Sequence, residues 1–86
     1  MAAHDSRHRY KPEVLAALAV HGIRPTPATP PEKVREFLND LYRYELRRLR
    51  DCLLRLEIRK PDYYDRVLEV RRRYPLLALK PWQWVE

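Results

Sequence analysis

Eighty-six residues with a net charge of +6, one cysteine and one glycine against eight prolines bound this chain before any motif is sought. A single Cys excludes an internal disulfide, a single Gly leaves little for the tight turns of a β protein, and a core of this size rarely supplies more than ~3–5 kcal/mol without a staple or partner. The charge, with Arg far ahead of Lys, fits nucleic acid, an acidic protein or a merely solvated surface, and its placement along the chain has to decide.

Residues 1–11 hold His4, Arg7, His8, Arg9 and Lys11 with few apolar groups, and are expected to form a polar arm that lies on something else. The longest apolar stretch, Val14 to Val20, is far short of a membrane span, and no signal-like run precedes it, so a cytoplasmic protein with no membrane contact is expected. His4 and His8 have the spacing of a helical ligand pair, but no third ligand accompanies them, and neither metal nor cofactor is expected.

Pro12 to His21 predicts a short helix, with Pro12 at its first position, Glu13 against the N-terminal dipole and Gly22 as a left-handed stop. Val14, Leu15, Leu18 and Ala19 form its packing face. Residues 23–31, with Pro at 25, 27, 30 and 31, read as a semi-rigid polyproline connector. A PxxP ligand at Pro27 and Pro30 is the competing and less specific reading.

The organising stretch is 30–60, expected to be one long helix. Thr29 and Glu32 offer a capping box, Pro30 suits the first helical position, and Pro61 bars the helix from continuing past Lys60. Counting about 100° per residue gathers Val34, Leu38, Leu41, Tyr42, Leu46, Leu49, Cys52, Leu53 and Leu56 on one side. From Tyr42 to Leu56 the spacing alternates between four and three, the seam of a helix packed nearly antiparallel or parallel to another.

Residues 61–74 predict a third helix, with Asp62 and Asp65 in its first turn, Arg71 to Arg73 in its last, and Tyr63, Val67, Val70 and Tyr74 on one face. As the second arm of an αα-hairpin it sets Leu56 against Tyr63, Leu53 against Val67 and Leu49 against Val70. Residues 75–86 form an apolar tail without a helical stripe. Read as extended or irregular, it points Trp82 and Trp84 the same way as a two-ring anchor, with Leu76, Leu77 and Leu79 beside them.

The fold class is therefore all-α: a short helix, a proline connector, a long helix, an antiparallel third helix and an irregular tail. The tail residues Leu76, Leu77, Leu79, Trp82 and Trp84 are the candidate protein-binding set, unless the tail folds back over residues 34–42. Glu45 falls inside the apolar sector and needs a partner there, with Tyr74 the nearest in register and Arg71 about one turn off. Cys52 is read as a small buried apolar group.

Arg43, Arg47, Arg50, Arg71, Arg72 and Arg73 are the candidate contacts to nucleic acid or another anion. Against that, residues 32–60 carry nine basic and six acidic side chains, and Asp51–Arg55, Asp62–Arg66 and Glu69–Arg73 are spaced as solvated ion pairs. No acid/base pair, nucleophile or cofactor loop is visible. The expected function is that of a non-catalytic accessory subunit or assembly factor, binding a larger protein or a second copy of itself through the stripe and the tail. A small nucleic-acid-associated protein is the alternative.

Overall fold

The computed structural model describes residues 7–86 as three α-helices and two short 3-10 helices. The α-helices are α1 (Pro12–Ala19), α2 (Pro31–Leu54) and α3 (Lys60–Arg72), and the 3-10 turns span Pro75–Ala78 and Pro81–Gln83. The chain divides into two compact units: residues up to Phe37 together with Leu76–Glu86, and Leu38–Pro75. Helix α2 contributes its N-terminal turns to the first and the remainder to the second.

In the first unit α1 buries Val14 and Leu18 completely, while Leu15, also expected on its packing face, is 40% exposed. The helix ends as its sequence dictates. The Ile23 amide donates to the Leu18 carbonyl and the Gly22 amide to that of Ala19, with Gly22 at φ 76°, the paired bonds of a Schellman stop. Tyr10, Val34, Leu76 and Trp84 complete this core.

The described part of the expected polar arm, from Arg7 onward, is tied into this unit. Tyr10 is buried and donates its hydroxyl to the Thr29 carbonyl at 2.5 Å. It also bridges Val85 in antiparallel fashion, the Lys11 amide bonding to Trp84 O and the Glu86 amide to Arg9 O. His4 lies outside the described residues, so the His4/His8 spacing is without a structural counterpart.

The proline connector turns where a polyproline spacer was expected. The Thr29 amide donates to the Thr26 carbonyl at 2.9 Å, and Thr29 Oγ1 lies 3.1 Å from both the amide and the hydroxyl of Thr26. The Thr29 hydroxyl faces this turn, and because α2 opens at Pro31, with Pro30 and not Thr29 flanking it, the expected capping box with Glu32 is out of register. The turn also breaks the extended Pro27–Pro30 segment that a PxxP ligand requires.

In the second unit α2 and α3 form the expected antiparallel hairpin. The Tyr42 and Tyr74 rings stand 5.2 Å apart, and Glu45 bonds to Tyr74 and Arg73. One turn further along, Leu49 and Val70 line the same groove, as the register requires. The distal end differs from expectation because α2 stops at Leu54, six residues before Lys60. The Leu56 amide bonds to Leu53 O and the Glu57 amide to Cys52 O, with Leu56 at φ 61°. A helix reaching Lys60 would leave no residues to reverse direction before α3, so the last turn of the apolar stripe is spent on the turn itself. Leu56, expected against Tyr63, is 89% exposed.

Candidate functional site

The tail resolves into two different tryptophans. Because Pro75–Ala78 and Pro81–Gln83 wind into 3-10 turns instead of extending, Trp82 and Trp84 do not share a face. Trp84 is fully buried and its indole N–H donates to the Leu76 carbonyl at 3.3 Å, whereas Trp82 is 71% exposed. Leu76 is buried, and Leu77 and Leu79 are half-buried.

What fastens this tail is Arg35, a residue the sequence pattern did not mark. Its Nε donates to Leu79 O at 3.0 Å and a terminal nitrogen donates to Leu77 O at 2.8 Å, a planar fork closed on two main-chain carbonyls. These bonds bring the Leu77–Leu79 part of the tail back to Arg35, at the near end of the 34–42 stretch it was expected to cover. The five-residue docking set is reduced to Trp82 as a fully presented ring.

The Glu45 carboxylate has the partner it needed, supplied by the two residues that follow α3. It accepts the Tyr74 hydroxyl on one oxygen and an Arg73 guanidinium N–H on the other at 2.7 Å. Arg73, the residue that caps α3, takes the place expected of Arg71 beside Glu45. Glu45 keeps 31% of its side chain exposed and is not the buried carboxylate anticipated. Tyr74 is the buried member, and burial, followed by the hydrogen bond and the charge of Glu45, pushes its pKa up to about 12.

Around this polar clasp the hairpin seam stays half covered. Leu41, Tyr42, Leu46, Leu49 and Leu53 on α2, with Tyr63 and Val67 on α3, are all only partly buried, and in this unit only Leu38, Val70 and Tyr74 are fully enclosed. Two helices leave a groove on each side of their contact. One is floored by Leu49, Cys52 and Val70 and edged by both signs of charge, Arg48 and Arg66 against Glu69; Cys52 is half-buried there.

The other groove is lined by Arg43, Leu46, Arg47, Arg50 and Tyr63. It assembles three of the six arginines singled out as anion contacts. Arg71 and Arg72 are exposed at the end of α3 and outside this groove, and Arg73 is taken by Glu45. The solvated ion pairs expected of Asp51–Arg55 and Asp62–Arg66 are not made: among the described residues neither pair closes to 4.0 Å, and Arg43, Arg47 and Arg50 have no ion-pair partner either.

Among the described residues no group of three or more His, Cys, Asp and Glu side chains is gathered in one place, and no helix is long and apolar enough to cross a membrane. No family model, curated protein or solved structure matches this chain.

Proposed function

We propose that this protein is a non-catalytic accessory subunit or assembly factor of a larger cytoplasmic complex, held to its partner by the open face of the α2–α3 hairpin. The observation that supports this most is the seam: seven apolar side chains, six of them at heptad spacing, stay partly exposed on a two-helix hairpin. Exposed Trp82, of the residue type most enriched at binding hot spots, adds a second apolar contact. A single unpaired cysteine agrees with a reducing compartment.

Nucleic-acid association is the second reading, resting on the unpaired Arg43, Arg47 and Arg50. Phosphate binding weakens steeply with salt, whereas apolar docking does not. The test is the size of the tagged full chain in native extract, by size-exclusion chromatography at low and high salt. A species well above the 10.5 kDa chain is expected, surviving added salt and nuclease, and released by Leu53→Gln or Trp82→Ser with the helical circular dichroism retained. A chain that elutes alone removes the accessory-subunit reading; a heavy species lost on nuclease treatment replaces it with the second.

A further inference from the structure

The two grooves of the hairpin differ in charge, and the difference says what fits. In the groove of Arg43, Leu46, Arg47, Arg50 and Tyr63 every charged lining group is a guanidinium, all three are exposed, and among the described residues none is engaged by a carboxylate. Counting about 100° per residue from Leu46, Arg50, Arg43 and Arg47 stand about 40°, 60° and 100° around α2, while Asp40 and Asp51 stand about 120° and 140°. The arginines therefore form the rim immediately beside the apolar floor, with Asp40 and Asp51, the acids of α2 within about one turn of them, further round the helix.

We infer that this groove seats an amphipathic α-helix of a partner protein, its apolar stripe on Leu46 and Tyr63 and its flanking Glu or Asp side chains on Arg43, Arg47 and Arg50. The occupant follows from complementarity. A leucine and the ring of a half-buried tyrosine between two helices match the i, i+3, i+4 anchors of a third helix. Rim arginines at i, i+4 and i+7 match carboxylates of the same helical period, each able to accept a two-pronged guanidinium. A second copy of this chain fits poorly, because a two-fold contact through the groove sets the same three arginines against each other.

The inference rests on the protein-docking reading and narrows it to one chemical class of partner. It is tested on the full chain by fluorescence anisotropy with two labelled helical peptides that share a Leu stripe, one flanked by Glu and the other by Lys, and with a 12-nucleotide single strand. The Glu peptide is expected to bind at least about ten-fold more tightly than the Lys peptide, and Arg43→Glu/Arg47→Glu/Arg50→Glu to weaken it by about ten-fold or more. Arg71→Gln/Arg72→Gln, outside the groove, leaves it within about two-fold.

Circular dichroism monitors the helix content of each variant, and if the triple Glu variant loses it, the triple Gln variant carries the comparison. Equal binding of the two peptides, or an unchanged affinity in the triple variant, overturns the inference. So does tighter binding of the oligonucleotide, or a wild-type dimer by sedimentation that the triple variant abolishes. A chain that runs in a heavy, nuclease-resistant native species yet shows no preference for the Glu peptide loses this inference while keeping the accessory-subunit reading; a chain that runs alone loses both.

Discussion

Leu56 sits where a helix stop calls for glycine. At φ 61° its Cβ crowds the following carbonyl, a cost of roughly 1–2 kcal/mol for an L-residue, and with 89% of its surface exposed it recovers almost nothing by burial. Glycine at this position relieves that crowding and loosens the unfolded chain, two effects of opposite sign with the first larger. Leu56→Gly is therefore expected to raise stability by about 0.5–1 kcal/mol, read as a higher urea midpoint with an unchanged slope. A lower midpoint would mean that Leu56 is covered in solution.

Tyr74 gives the hairpin a dependence on alkaline pH. Its hydroxyl ionises near 10 in the unfolded chain, and burial beside Glu45 pushes it up to about 12 in the folded one. The folded state holds this proton more tightly, so its stabilisation is complete below pH 10 and is lost as pH rises from about 10 to 12, at no more than about 1.4 kcal/mol for each pH unit. Tyr74→Phe removes the group that titrates. The variant is expected to be about 1 kcal/mol less stable at pH 8, from the lost hydroxyl–carboxylate bond, and to lose less further stability across that alkaline window. Urea denaturation at pH 8, 10 and 11 separates the two behaviours.

At the scale of elements, one arginine ties the Leu77–Leu79 stretch of the tail, whose end is held separately by the Tyr10–Val85 bridge. The tail buries little beyond Leu76 and Trp84, and the carbonyls of Leu77 and Leu79 rely on the Arg35 fork. Charge-assisted bonds of this kind are worth about 1.5–3 kcal/mol each when their loss strands a partner, and the discount for partial exposure of Arg35 leaves about 2 kcal/mol for the fork. Arg35→Ala is expected to cost that much. Arg35→Lys is expected to recover less than half of it, because an ammonium on a flexible stem does not span two carbonyls in one plane.

Helix identity was legible from residue pattern wherever a start or stop signal is local. Pro12 and Gly22 bound α1, Pro61 sits in the first turn of α3, and the four-three spacing predicted the register that the Tyr74–Glu45 bond displays, though with Arg73 where Arg71 was expected and Leu56 away from Tyr63. Two things were not legible. The end of α2 depends on how many residues a chain reversal needs, which no residue near Leu56 announces. The Arg35 fork joins residues more than forty positions apart through main-chain carbonyls, which have no side-chain signature. Of the candidate arginines, Arg43, Arg47 and Arg50 could be grouped from helix spacing alone, but their apolar floor required Tyr63 to be brought from α3.

At the scale of the whole molecule, the apolar side chains fall into an enclosed set and an exposed set. The unit that contains the tail closes its core around Trp84, and the hairpin unit leaves its seam half covered. A protein of this length has about 3–5 kcal/mol to lose, and truncating a fully buried indole costs about 3–5 kcal/mol through lost transfer and the cavity left behind. Trp84→Ala is therefore expected to abolish cooperative unfolding of the unit that holds it, whereas Trp82→Ala, truncating a ring that is 71% exposed, stays within about 0.5 kcal/mol of the parent. Circular dichroism across a urea series reads both. If the isolated chain treats the two tryptophans alike, the division of labour between an inward ring that holds the fold and an outward ring left for a partner is wrong.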